Sequence, residues 1–319
     1  MDKKRILVTG IGGNVGQGIL RNILSLELPV ELFGCNVVEF SPGNYFCKEV
    51  FKVPFAYDKE YIPAIKDIVV SQKIDLVIPS TDYEVYYLAK HRDEIPCTVA
   101  TSGPIASGLY LDKYKTFLHH KKYDIPFADS VLPGQYKGQF GDIILKPREG
   151  RGSRGIFINP TNLDGFSDDK YMVQPLLKGK EITTAFYVDK QRKLHGMITM
   201  ERSLENGTTT ACNVIMEYDA QLLPILNRII LASDVEGAVN LQSIVTEDRA
   251  IVPFEVNCRI SGTNSIRSNF GFKDVWYTLQ ENLYHTAPDK VEVTKGKAVR
   301  VLMDIIYKED QSDQQPYIF

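Results

Sequence analysis

Phe254-Glu255-Val256-Asn257-Cys258-Arg259-Ile260 is the stretch that decides how this chain is read. A strand alternates sides with period two. Glu255, Asn257 and Arg259 therefore share one face, and Phe254, Val256, Cys258 and Ile260 share the other. One face is apolar. The opposite face sets a carboxylate, an amide oxygen and a guanidinium in a row. The first two are hard ligands suited to Mg²⁺ bridging phosphates, and the arginine suits an anion. Upstream, Val239-Asn240-Leu241-Gln242 puts Asn240 and Gln242 on one face of a second strand. The gap between Gln242 and Glu255 fits a hairpin that lays the two polar faces side by side.

A second feature lies before this pair. Ile143-Ile144-Leu145-Lys146-Pro147 is an apolar strand that delivers a lysine to the loop Arg148-Glu149-Gly150-Arg151-Gly152-Ser153-Arg154-Gly155. Three glycines free the backbone to fold over an anion, and three arginines supply charge. No Gly-x-x-x-x-Gly-Lys-Ser/Thr occurs, so a P-loop is excluded.

The chain opens differently. Residues 5–9 form an apolar run into Gly10-Ile11-Gly12-Gly13-Asn14-Val15-Gly16, and apolar residues then recur at helical spacing. Further strand and helix patterns alternate to about residue 110, which implies a parallel sheet covered on both faces. The glycines form either a tight strand-to-helix turn, with or without a substrate on it, or a dinucleotide site. Asn36 stands where a ribose-binding acid is expected, which disfavours NAD. Beyond a helix near 112–122, short strands with turns between them predict antiparallel sheet. A helix is expected over about 219–233, and a last strand at Val299–Met303. The fold class is thus α/β followed by α+β.

Composition bounds the function. The 319 residues exceed what one core usually carries. Lys+Arg is 37 and Asp+Glu 40, a net charge of −3, which argues against a nucleic-acid partner. No apolar run spans a bilayer, and the N-terminal apolar run is too short for a signal peptide. Five scattered cysteines without a Cys-x-x-Cys pair suggest neither disulfides nor zinc, and a reduced, cytoplasmic protein is expected.

Taken in order, these stretches resemble the ATP-grasp superfamily, in particular its carbamoyl-phosphate-synthetase-like branch. Asp112-Lys113, Ile144-Leu145-Lys146-Pro147, Val173-Gln174-Pro175-Leu176 with Gly179-Lys180-Glu181, Gly237 to Gln242, and Phe254 to Arg259 carry the resemblance. It implies a Rossmann-like domain at 1–110, a small lobe with a glycine-rich lid at 111–178, and a large lobe with the metal site at 179–319. It also implies ATP with Mg²⁺, or Mn²⁺ in its place. Lys113 and Lys146 would contact phosphates, and Gly150, Arg151, Gly152 and Ser153 would close over them. The backbone of Gln174, Pro175, Leu176 and Leu177 would read adenine, and Glu181 would accept the ribose hydroxyls. Gln242, Glu255 and Asn257 would hold the metal. Arg259, with Lys146, would be catalytic, stabilising an acyl-phosphate.

The chain differs from the common pattern in two places. Gln242 stands where many such ligases have an acid, and Asn257-Cys258-Arg259 replaces Asn-Pro-Arg. The activity implied is an ADP-forming ligase that joins a small-molecule carboxylate to an amine or ammonia, with a homodimer compatible with it. The alternatives are a nucleotide-binding partner or sensor without catalysis, and an NAD-dependent oxidoreductase. Ser80-Thr81-Asp82 and Ser261-Gly262-Thr263-Asn264 are further candidate substrate contacts.

Overall fold

The computed structural model describes residues 3–150, 154–205 and 207–308, together with the backbone of 317–318. The N-terminal part alternates as the apolar pattern requires. Strand β1 (Lys4–Thr9) leads into helix α1 (Asn14–Ser25), followed by β2 (Val30–Asn36), β3 (Glu49–Lys52), α2 (Tyr61–Gln72), β4 (Leu76–Ile78), α3 (Asp82–Lys90) and β5 (Thr98–Val99). The five strands are parallel, in the order β3-β2-β1-β4-β5. The connection reverses direction between β1 and β4, where a doubly wound sheet opens a crevice at its carboxyl edge. Gly10 turns there with φ +59°, and a side chain on it would meet Ser80 Oγ. Helix α3 begins at this edge because Thr81 caps it, accepting from the Glu84 backbone N–H while Glu84 reaches back to the Thr81 N–H.

Helices α4 (Pro104–Leu111) and α5 (Lys113–Lys122) follow. Asp112 separates them and caps α5, accepting from the N–H groups of Tyr114 and Lys115. The chain then builds a small antiparallel sheet from β6 (Ile143–Pro147), β7 (Phe157–Ile158) and β8 (Tyr171–Pro175), in the order β7-β6-β8.

The largest sheet comes last. It comprises β9 (Lys180–Val188), β10 (Leu194–Glu205), β11 (Thr208–Ile215), β12 (Gly237–Val245), β13 (Ile251–Asn257) and β14 (Lys297–Val299), ordered β13-β12-β9-β10-β11-β14 and antiparallel throughout. Helix α6 (Asp219–Ala232) joins β11 to β12. Helices α7 (Asn264–Arg267) and α8 (Asp274–Asn282) follow β13, and a small pair, β15 (Ile305–Ile306) with β16 (Tyr317–Ile318), ends the chain.

The two faces of the large sheet do different work. Ile182, Phe186, Val188, Leu241, Val256 and Cys258 pack on Leu222, Leu226 and Ile229 of α6 in one core. On the other face Ala185, Tyr187, Ile198, Met200 and Val214 share a core with Ile6, Val8, Ile19 and Ile78 of the N-terminal part. The N-terminal sheet is therefore fused to the large sheet through a continuous apolar cluster.

Two expectations need correction. The strand expected at Val299–Met303 is instead Lys297–Val299, paired with β11 from Asn213 to Ala211, and after the Arg300 N–H bonds the Thr210 carbonyl the chain leaves the sheet. Residues 301–304 have no regular structure, and Leu302 is fully exposed. The second correction concerns Phe254. Gln242 pairs with Glu255, but Ser243 pairs with Pro253, so Phe254 is the extra residue of a β-bulge. The bulge breaks the alternation, and Phe254 does not join Val256 and Cys258 in the core. Instead its ring lies under the ammonium of Lys146, 5.2 Å from the ring centre. Among the described residues no helix is long and apolar enough to cross a membrane.

Candidate active site

The hairpin register places the ligand types as the alternation demands. Asn240 pairs with Asn257 and Gln242 with Glu255, so all four side chains leave the same face of β12 and β13. Asn257 Nδ2 donates to Glu255 Oε1 at 3.1 Å, and Gln242 Nε2 donates to Asn257 Oδ1 at 3.3 Å. Asn240 is used internally: its Oδ1 accepts from Thr183 Oγ1 and from Ser261 Oγ. Val256 and Cys258 face the opposite core, so cysteine in place of proline is a packing change.

Two lysines reach this face from elsewhere. Lys146 is 6% exposed at the end of β6, and its Nζ donates to the Phe254 carbonyl at 3.2 Å. That bond joins the small sheet to the large one. Burial pulls the Lys146 ammonium down to about 7, against the attraction of Glu255. Lys113 opens α5, and its Nζ lies 3.4 Å from Glu255 Oε1 and 3.4 Å from the Gly150 carbonyl. Its backbone N–H bonds the Arg148 carbonyl, and the Arg148 guanidinium pairs with Asp112. The start of α5 thereby holds the start of the glycine loop. Burial alone would raise the Glu255 carboxyl, but Lys113, Lys146, the Asn257 amide and Arg259 together hold it below the usual range. Glu255 is thus a carboxylate held in its ionised form between Lys113 and Lys146.

Arg259 completes the row from an unexpected direction. Its Nη2 donates to Asp82 Oδ2 at 2.8 Å and its Nη1 to the Ile260 carbonyl, while Nε is buried without a partner. Asp82 opens α3 at the carboxyl edge of the N-terminal sheet, and its other oxygen accepts from Asn257 Nδ2 at 3.3 Å. Asp82 stood among the sequence candidates only as a substrate contact, and its link to Arg259 spans 177 residues.

At the far end of the face, Glu181 on β9 pairs with Arg202 on β10, and Arg202 Nη2 also donates to Gln242 Oε1 at 3.1 Å. The sequence reading passed over Arg202. Its only signal was register, because continuing the β9–β10 pairing puts it opposite Glu181. The segment 174–177 spans the end of β8 and the two residues after it, with the Gln174 amide donating to Ser130 Oγ and the Leu176 N–H bonded to the Asp142 carbonyl. Gly150 is described, whereas the expected lid residues Arg151, Gly152 and Ser153 lie outside the described residues.

The structure thus brings Lys113, Lys146, Gln242, Glu255, Asn257 and Arg259 together, with Glu181 one strand away. Among the described residues no three His, Cys, Asp or Glu side chains cluster as a metal cage. One carboxylate flanked by amide oxygens is a donor set that fits Mg²⁺ shared with phosphate oxygens, and does not fit zinc.

Residues 6–100 match the family described as PylC-like, N-terminal domain. No curated protein matches the chain. Among solved structures, N5-carboxyaminoimidazole synthetase from Staphylococcus aureus, complexed with ADP, superposes with a TM-score of 0.76. Its identity is 14%, covering 94% of this chain and 82% of that one. N5-carboxyaminoimidazole synthase from Aspergillus clavatus, in complex with ADP and 5-aminoimidazole ribonucleotide, gives 0.74 at 16% identity over 95% and 83%. A biotin carboxylase from Campylobacter jejuni gives 0.72 at 15% identity over 92% and 74%. The chain has the ATP-grasp fold.

Proposed function

We propose that the chain is an ATP-dependent, ADP-forming ligase that activates a carboxylate as an acyl-phosphate for attack by an amine or ammonia. The observation that carries this reading is the convergence of Lys113 and Lys146 on Glu255, in a row with Asn257 and Arg259. The fold shared with ligases solved with ADP supports it.

A carboxylate is a poor acylating agent because its oxygen does not leave. In the proposed first step a carboxylate oxygen attacks the γ-phosphorus of ATP. The bond from that phosphorus to the β-phosphate oxygen breaks, and ADP departs. In the second step the amine nitrogen attacks the acyl carbon, the carbon–oxygen bond to phosphate breaks, and inorganic phosphate leaves as the nitrogen loses a proton. Such transfers need positioning and charge neutralisation more than covalent help.

In this reading residues 1–110 form the Rossmann-like domain, 111–178 the small lobe and 179–319 the large lobe. Lys113 and Lys146 hold phosphate oxygens, and Gly150 to Ser153 cover them. Adenine lies against 174–177, where Pro175 lacks an N–H and that of Leu176 is taken, which leaves Leu177 as the reading donor. Glu181 accepts from the ribose hydroxyls. Glu255, Asn257 and Gln242 would hold Mg²⁺, which neutralises charge on the phosphates when bound. Arg259, fixed by Asp82, faces the anion of the acyl-phosphate.

The test is ADP release with Mg-ATP and panels of carboxylates and amines. ADP formation that requires both co-substrates is expected. Formation of AMP, or thermal stabilisation by NAD(H) but not by Mg-ADP, would overturn the reading.

A further inference from the structure

Among the described residues, Arg202 is the cation on the polar face that this mechanism leaves unused. Its side chain is 12% exposed on β10. Among the described residues its side chain bonds through a single nitrogen, Nη2, to Glu181 and to Gln242 Oε1. Its Nε is buried without a partner. A buried guanidinium N–H left unpaired is costly unless an acceptor joins it in the working state.

Its position suggests the acceptor. Arg202 bridges the residue read as the ribose acceptor and a residue read as a metal ligand. A nucleotide lying along this face places its α- and β-phosphates between those two points, since they connect the ribose to the metal-bridged end. The charges agree. Among the described residues, Lys113, Lys146, Arg202 and Arg259 stand on this surface with Glu181, Glu255 and Asp82. A polyanion is what restores the balance. Arginine also presents a planar fork suited to phosphate oxygens, so Nε and Nη1 can bond one phosphate while Nη2 keeps its present partners.

We propose that Arg202 is a polyphosphate-contacting residue, the third cation on the bound nucleotide beside Lys113 and Lys146. The inference rests on the ligase reading, and it adds a role that neither the sequence motifs nor the strand face alone assigns. The competing account is that Arg202 only holds Glu181 in place for the ribose.

The experiment measures binding of Mg-ADP and of adenosine to the full chain by calorimetry, for the parent, Arg202→Ala, Arg202→Lys and Lys146→Ala, with a melting curve for each. Arg202→Ala should weaken Mg-ADP by about tenfold or more and change adenosine affinity by less than about threefold. Arg202→Lys should recover part of the loss. Should Arg202→Ala fail to fold, Arg202→Lys decides alone, with a selective loss on Mg-ADP expected. Equal losses for adenosine and Mg-ADP would show that Arg202 acts only through Glu181, and unchanged Mg-ADP affinity would remove it from the site; either overturns the proposal. A parent that binds no Mg-ADP, or a Lys146→Ala variant with parental affinity, is a different failure. It refutes the nucleotide reading itself, and Arg202 with it.

Discussion

Arg259 donates its Nη2 hydrogen to Asp82 Oδ2 at 2.8 Å, although Asp82 opens α3 of the N-terminal part and Arg259 follows β13 of the large sheet. The bond is the last link of a chain that runs from Glu181 through Arg202, Gln242 and Asn257 to Asp82 and Arg259. The first three links join side chains of the large sheet to each other, and the last two join its β13 end to Asp82 of the N-terminal part. The orientation of Arg259 therefore depends on how the N-terminal sheet sits.

Removing Asp82 should consequently disturb turnover more than nucleotide binding. Asp82→Ala leaves the Arg259 guanidinium without its counter-ion, a loss of about 1.5–3 kcal/mol for a charged hydrogen bond. The expected result is a drop in kcat of about tenfold or more, with Mg-ADP affinity unchanged and partial recovery in Asp82→Glu. ADP-release kinetics and calorimetry check it. Parental kcat in Asp82→Ala would remove the positioning role.

Glu255→Gln should cripple turnover while the fold survives. The substitution keeps shape but removes the only carboxylate among the proposed metal ligands, and it deprives Lys113 of its partner. A loss of about a hundredfold or more in ADP release is expected, with a melting temperature near the parent's. Arg259→Lys should likewise lower the rate more than ATP affinity, because the fork is lost and the charge kept.

Phe254 and Val256 should separate binding from stability. Phe254 lies in the bulge against Lys146 and is half-buried, so Phe254→Ala should cost about 1 kcal/mol rather than the 3–5 kcal/mol of a core phenylalanine. Its principal effect should be weaker Mg-ADP binding. Val256 is buried in the α6 core, and Val256→Ala should cost about 2 kcal/mol and leave nucleotide affinity alone. Denaturant titrations of both variants decide this.

His120 makes the protein acid-sensitive. Burial lowers its imidazole from 6.5 to about 4, against a hydrogen bond to the Pro126 carbonyl, in a pocket with Tyr110, His119 and Phe127. Between pH 6.5 and 4 the unfolded chain binds the proton that the folded chain refuses. Stability from this group is thus full above pH 6.5 and falls with pH across that window, by about 3 kcal/mol in all. His120→Gln should flatten the curve between pH 6.5 and 4 relative to the parent. Parallel curves in denaturant melts would contradict it.

Local pattern carried much of this in the sequence. The parallel character of the first sheet followed from apolar runs alternating with helical spacing. The common side of Glu255 and Asn257 followed from strand period, and the Gln242–Glu255 alignment from hairpin length. Phe254 escaped the same reasoning because a bulge is a property of a strand pair. Its partner's register has to be known before the extra residue shows. Helix α3 is not legible from periodicity, because Thr81 and Glu84, which cap it, sit beside tyrosines that leave only a weak apolar stripe.

What the sequence by itself determined are the relations between residues close along the chain: that Glu255, Asn257 and Arg259 share a strand face, and that Lys146 ends an apolar strand. These depend on backbone period. The tertiary structure alone decided that Asp82 orients Arg259, that Lys113 reaches Glu255, and that Arg202 joins Glu181 to Gln242. Those pairs meet because apolar cores, one on each face of the large sheet and further ones in the N-terminal part and the small sheet, fix the positions of the elements. Apolar burial is non-directional, so no local pattern states which distant polar side chains it will bring within bonding distance.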